Sequence, residues 1–96
     1  MIIVHDIFIC KPGNASKLAK LFKELMSGRK EFVNIMTDMT GQFNKVVMVS
    51  KYEGLGAYES SWKEMETSED AKKMQERMKG YTEMYLTGSR EIFQVW

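Results

Sequence analysis

The sequence predicts an α+β fold with its elements in the order β-α-β-β-α-β and one antiparallel four-stranded sheet. Three observations carry this expectation. Residues Phe32 to Tyr52 hold two β-rich runs around the turn signal Thr40-Gly41-Gln42, the pattern of a β-hairpin. A helical pattern lies on each side of the hairpin, and a strand-like run stands at each end of the chain. The hairpin is expected to span the middle of the sheet.

The first strand is expected over Ile2 to Cys10, which is apolar except for His5 and Asp6. Alternation puts Ile3, His5, Ile7 and Ile9 on one face, and Ile2, Val4, Asp6, Phe8 and Cys10 on the other. Lys11-Pro12-Gly13 ends it, since proline lacks the ladder donor and glycine accepts unusual backbone angles. Asn14 is a natural N-cap for the first helix. Ala15, Leu18, Phe22 and Leu25 recur at 3-4-3 spacing, widened by Leu21 and Met26, while Lys17, Lys20, Lys23 and Glu24 fall on the solvated side. Gly28 stands where a C′ glycine closes a helix.

Both hairpin strands are apolar on each face. Simple alternation puts Val33, Ile35 and Met39 on one side of the second strand and Phe32 and Met36 on the other. In the third strand, Val47 and Val49 oppose Val46, Met48 and Tyr52. A sheet with one wet face should alternate cleanly, and this one does not. Helices cover only one face in this topology, so the other face needs a cover. The same face of a second copy supplies one, which predicts a two-fold homodimer.

A second helix is expected to begin near Gly56, with Leu55, Tyr58, Trp62 and Met65 at helical spacing. Thr67-Ser68-Glu69-Asp70 resembles a capping box, with Thr67 or Ser68 as the cap, so this helix should break in two there. Ala71, Met74, Met78, Tyr81 and Tyr85 continue the spacing, and Gly80 interrupts it. Thr87-Gly88-Ser89 reads as a turn, and Arg90 to Trp96 as the last strand.

Composition bounds the function. Ninety-six residues allow one domain spanning residues 1–96. A chain of this size buries roughly 60–65% of the surface its unfolded form exposes. That core is thin enough for a partner subunit to matter. Fourteen basic residues stand against 13 acidic ones, so the basic field that draws nucleic acid is missing. The single Cys10 excludes an internal disulfide and a multi-cysteine metal site, and fits a reducing cytoplasm. Met-Ile-Ile-Val-His-Asp has neither a basic n-region nor a long apolar run, so neither a secretion signal nor a membrane span is expected.

Motifs narrow the field further. The stretch Phe43 to Val49 lacks the aromatic run with which an RNA-recognition motif stacks bases. No Cys-x-x-Cys follows the first strand, no glycine-rich phosphate loop occurs, and His5, the only histidine, has no recognisable serine or cysteine nucleophile to serve. Asp6, if buried, needs a partner, and Arg90 is a candidate. His5 reads either as a hydrogen-bonded structural residue or as a pocket base. Trp62 reads as a core anchor or a pocket wall. Tyr52, Tyr58, Tyr81 and Tyr85 read as packing residues with a wet hydroxyl or as proton donors. Nine methionines suggest an adaptable core or pocket lining.

Three local features add a resemblance. These are Lys11-Pro12-Gly13 between strand and helix, Ser50-Lys51-Tyr52-Glu53 leading through Leu55 and Tyr58 to Trp62, and the closing Ser89-Arg90-Glu91-Ile92-Phe93-Gln94-Val95-Trp96. With them, nearly the whole chain resembles the dimeric α/β-barrel superfamily, which includes antibiotic-biosynthesis monooxygenases, haem-degrading monooxygenases and NIPSNAP-like proteins. The resemblance implies a ferredoxin-like domain that dimerises through its sheet face into an α/β barrel. A small-molecule cleft between sheet and helices is expected, with His5 and Asp6 as catalytic candidates and Tyr52, Trp62, Tyr85 and Arg90 as ligand-binding ones. The haem-degrading members use an asparagine on the first strand, a tryptophan on the second helix and an iron-ligating histidine further on. Asp6 falls near the first of these and Trp62 matches the second. No histidine follows Trp62, so no haem and no other cofactor or metal is expected. Two functions stand open: a non-catalytic, homodimeric small-molecule binder, or a cofactor-independent monooxygenase or isomerase acting on a small aromatic or quinol-like substrate.

Overall fold

The computed structural model describes residues 1–41 and 43–96, with the side chains of residues 69–71 and 74 left aside. The elements are β1 (Ile2–Cys10), α1 (Ala15–Met26), β2 (Phe32–Thr37), β3 (Lys45–Tyr52), α2 (Leu55–Thr67), α3 (Glu69–Arg77), a short 3₁₀ turn (Tyr81–Glu83) and β4 (Tyr85–Gln94). They form one four-stranded antiparallel sheet in the order β2-β3-β1-β4. This is the ferredoxin-like α+β arrangement. The hairpin does not span the middle. Its third strand is central beside β1, and β2 lies at the edge, because β1 and β4 return to complete the far side of the sheet.

Alternation in β1 holds along its length. Ile2, Val4, Asp6 and Cys10 are buried beneath the helices, while Ile3, His5, Ile7 and Ile9 are partly exposed on the face that carries no helix. In β2, alternation fails at one place. The pairing runs Phe32 with Ser50 but Asn34 with Val49, so Val33 sits in a bulge. Phe32 and Ile35 therefore share the helix side, and Met36 goes to the opposite side beside Val47. A strict period of two had grouped Phe32 with Met36. One extra residue in one strand is enough to reverse that assignment.

The core lies between α1 and the sheet, where Leu18 and Phe22 meet Cys10 and Val46. The lysines of α1 and Glu24 are exposed, as the amphipathic pattern requires. Its N-cap differs from expectation. Asn14 precedes the helix without a side-chain cap hydrogen bond, and Ser27 is the C-cap, its N–H donated to the Lys23 carbonyl, which leaves Gly28 at the expected C′ position. Gly28 does not adopt left-handed angles. Thr67 also departs from its expected role. Its hydroxyl donates back to the Lys63 carbonyl at 3.0 Å, within α2, so it does not cap the next helix. Ser68 is extended and separates α2 from α3. The capping partners Glu69 and Asp70, the stripe positions Ala71 and Met74, and Gln42 of the turn lie outside the described residues or side chains.

The C-terminal third is where local signals mislead most. The helical spacing through Tyr81 and Tyr85 stops early. Gly80 takes φ +89°, which reverses the chain into the 3₁₀ turn, and Tyr85 opens β4. Thr87-Gly88-Ser89 is not a turn but the first half of that strand, paired with Ile9, Phe8 and Ile7. Gly88 faces Phe8 across the ladder, and Lys11 N–H donates to the Met84 carbonyl at 3.0 Å, anchoring the strand's start. Ladder pairing along β1 outweighs the turn propensity of three small residues. Among the described residues, no helix is long and apolar enough to cross a membrane.

Candidate functional site

The helix side of the sheet holds a cleft of about 740 Å³ between β1, β3 and β4 below and α2, α3 and the 3₁₀ turn above. That size falls in the range of small-molecule sites. Strand register builds its floor. Asp6 of β1 pairs directly with Arg90 of β4, so both side chains rise on the same face. Arg90 Nε donates to Asp6 Oδ1 at 2.5 Å. The Asp6 side chain is only 11% exposed, whereas that of Arg90 is 44% exposed, so the pair is dry at one end and open at the other.

The second wall comes from α2. Tyr58 and Trp62 are four residues apart and lie on one helical face. Their rings meet edge-on at 6.2 Å, and the Arg90 guanidinium packs 5.7 Å from the Tyr58 ring centre and 5.2 Å from that of Trp62. These contacts fix the cation in place. Burial opposes the charge on Arg90, but the Asp6 hydrogen bond and carboxylate, with a smaller contribution from Tyr58, outweigh it and raise its pKa above the ordinary guanidinium value. The Tyr58 hydroxyl is itself buried; among the described residues it makes no hydrogen bond of good geometry, but it lies close enough to Arg90 to favour the cation.

An aromatic end wall closes the cleft away from α2. Phe8 packs against Tyr85 at 5.0 Å, Tyr85 against Tyr81 at 5.8 Å, and Tyr81 against Phe22 at 6.0 Å. Burial first, then the charge and hydrogen bond of the neighbouring Tyr85, push the Tyr81 phenol up. Met48, Met65 and Met78 line the remaining apolar surface, and Glu66 and Lys79 stand at the rim. Methionine makes such a wall adaptable to ligand shape.

Of the six residues singled out from the sequence, the structure brings Asp6, Trp62, Tyr85 and Arg90 to this cleft. Tyr52 does not line it. Its ring lies behind Tyr58 at 5.0 Å and borders a separate depression of about 440 Å³ with Glu31 and Ser61. His5 is on the opposite face of the sheet, between Val49 and Glu91, with its ring edge-on to Phe93 at 5.2 Å. His5 and Asp6 are adjacent in sequence, and that adjacency is what separates them, because successive strand residues point to opposite faces. Tyr58 and Tyr81, expected as packing residues or proton donors, are not among the six, yet Tyr81 lines the cleft and Tyr58 packs on Arg90. The i, i+4 spacing of Tyr58 and Trp62 carried the first signal, whereas Gly80 hid the second. Among the described residues, no three His, Cys, Asp or Glu side chains gather closely enough to hold a metal ion.

Solved structures share this architecture across the whole chain. An uncharacterised NIPSNAP domain protein from Burkholderia xenovorans superposes with a TM-score of 0.81 at 10% identity, covering 100% of this chain and 95% of that one. A NIPSNAP family protein from Agrobacterium tumefaciens gives 0.81 at 12% identity, with 97% and 90% covered. A putative antibiotic biosynthesis monooxygenase from Deinococcus radiodurans gives 0.64 at 12% identity, with 100% and 93% covered. No family model and no curated protein matches the chain. At these identities the likeness establishes the fold, which is that of the NIPSNAP-like and monooxygenase-like ferredoxin-fold proteins.

Proposed function

We propose that the protein is a homodimeric α/β-barrel protein that binds a small molecule in the cleft between its sheet and helices. The observation that carries the binding reading is the convergence of Asp6, Arg90 and Trp62 on one cavity, with Tyr85 in its end wall. A buried carboxylate held by a stacked guanidinium is a costly arrangement in a domain with so thin a core. It is at home where a polar anchor is wanted in an apolar cavity.

The dimer reading rests on the helix-free face. Ile3, Ile7, Ile9, Val47, Met36 and Phe93 lie there, with Phe93 47% and Met36 42% exposed. Nine-residue β1 makes the face about 30 Å long, and four strands make it about 19 Å wide. Two such faces bury at least about 1,100 Å² before side-chain relief is added, which clears the ~1,000 Å² expected of a specific interface. His5 would then be an interface residue.

A monooxygenase or isomerase would need its base in the cleft. Asp6 is the only one of the two catalytic candidates there, and Arg90 already holds it. No step needing His5 and Asp6 on the same substrate fits one protomer's geometry.

Two measurements test these readings. Sedimentation analysis should give a dimer at micromolar concentration, and Val47→Lys should give a folded monomer. A wild-type monomer at high concentration refutes the dimer. For the cleft, a metabolite panel should raise Tm for wild type by mass action and leave the cleft-filling Met65→Trp unmoved. Equal shifts in both proteins refute the cleft as the binding site.

A further inference from the structure

We infer that the ligand of this cleft is an apolar, ring-bearing molecule with a single carboxylate, and that the carboxylate docks on the terminal N–H groups of Arg90. The inference rests on the cleft-binding reading above and adds the chemical class.

Four features lead to it. Arg90 Nε donates to Asp6, and the Tyr58 hydroxyl lies close enough to take at most one further N–H. A guanidinium carries five N–H donors in a planar fork, so at least three stay available to a ligand. Arg90 lines the cavity and its side chain is 44% exposed, against 11% for Asp6, so the pair opens to the cavity at the arginine end. The fork is also held still, by Asp6 at one edge and the Tyr58 and Trp62 rings at its face. A fixed guanidinium with a free fork matches a carboxylate in a two-point contact, which an ammonium cannot reproduce.

The rest of the cavity excludes other classes. Its ionisable lining of opposite charges is Asp6 and Glu66 against Arg90 and Lys79, two anions and two cations, so the field is close to neutral. One added negative charge can sit on Arg90. A phosphate-type dianion would bring a second charge against the Asp6 carboxylate already on the same guanidinium. The body of the ligand meets Phe8, Trp62, Tyr81 and Tyr85 together with methionines, a surface that favours a flat ring system over a polar or sugar-like one.

The test compares 2-naphthoate with 2-naphthamide, a neutral molecule of nearly the same shape, by isothermal titration calorimetry. The carboxylate should bind about tenfold tighter to the wild type, the usual gap between a charge-assisted hydrogen bond and a neutral one. Replacing Arg90 alone would strand Asp6, so the diagnostic variant is Asp6→Asn with Arg90→Gln, which keeps a hydrogen-bonded pair without the charges. In that variant the two probes should bind within about threefold of each other. Met65→Trp should weaken both. Equal affinity of the two probes for wild type, with Met65→Trp weakening both, overturns the carboxylate inference and leaves the cleft intact. A preference for 2-naphthoate that survives the double substitution places the anion site elsewhere and overturns the inference as well. No binding of either probe at millimolar concentration also overturns it, while the metabolite panel decides the cleft separately.

Discussion

Replacing Arg90 with methionine should destabilise the protein far more than a surface charge change does, because it leaves the Asp6 carboxylate in place without its partner. Stranding one member of a fully buried ion pair costs about 3–5 kcal/mol. Arg90 is 44% exposed, so water reaches part of the vacated space and the cost falls toward that of a lost hydrogen bond to a charged group, about 1.5–3 kcal/mol. Contacts with the Tyr58 and Trp62 rings are worth roughly 0.5–1 kcal/mol at such sites, and the methionine stem recovers some of that. The expected net loss is about 2 kcal/mol, which for 96 residues is a Tm drop of about 8–16 °C. Adding Asp6→Asn removes the stranded charge and should restore about 1 kcal/mol. The assay is thermal and urea unfolding followed by circular dichroism, at one fixed protein concentration because the proposed dimer would make apparent stability concentration-dependent. A variant within about 0.5 kcal/mol of wild type, or a double variant no more stable than Arg90→Met alone, would show that the pair does not hold the floor of the cleft.

Three further outcomes follow from the structure. Gly28 is free of left-handed angles and a Cβ there meets nothing within 4 Å, so Gly28→Ala should stabilise by about 0.4–1 kcal/mol, whereas Gly80→Ala, equally uncrowded but at φ +89°, should destabilise by about 1–2 kcal/mol; urea midpoints moving in the same direction for both would contradict the backbone assignment. Burial pushes the Cys10 thiol up, so its reaction with a disulfide reagent at pH 8 should be slow in the folded protein and prompt in urea. The unfolded thiol ionises first, so this group's contribution to stability is full below the ordinary thiol pKa and falls as pH rises beyond it; Cys10→Ala should flatten the alkaline limb of a stability-against-pH curve, and an unchanged limb would count against it. Phe22 is 2% exposed at the centre of the α1–sheet core, so Phe22→Ala should cost about 3–5 kcal/mol in urea unfolding, against less than about 0.5 kcal/mol for Lys17→Ala on the outer face.

The parts of this fold legible in the residues are those governed by period. The alternation of β1, the apolar stripe of α1 and the hairpin signal around Gly41 state their own structure, because each reflects burial of one face of a regular element. The Asp6–Arg90 pair was also within reach, since a carboxylate inside an apolar strand demands a cation and few are placed to serve it. Other features carry no local signal. The bulge at Val33 costs one residue of register and leaves no mark in composition. Thr87-Gly88-Ser89 has turn chemistry and becomes strand only because β1 offers it a ladder.

The candidate site divides in the same way. Residue types told that Asp6, Trp62, Tyr85 and Arg90 were worth watching. Chain order could not tell that the strand pleat sends His5 away from Asp6, or that Tyr58 stands between Tyr52 and the cleft. Periodicity is written along the chain, so it can be read there. A cavity is made by residues as far apart as 6 and 90, which meet only because antiparallel register sets them face to face. That pairing is a property of the folded sheet, and it is what places a cation and a carboxylate beside the Trp62 ring around one space.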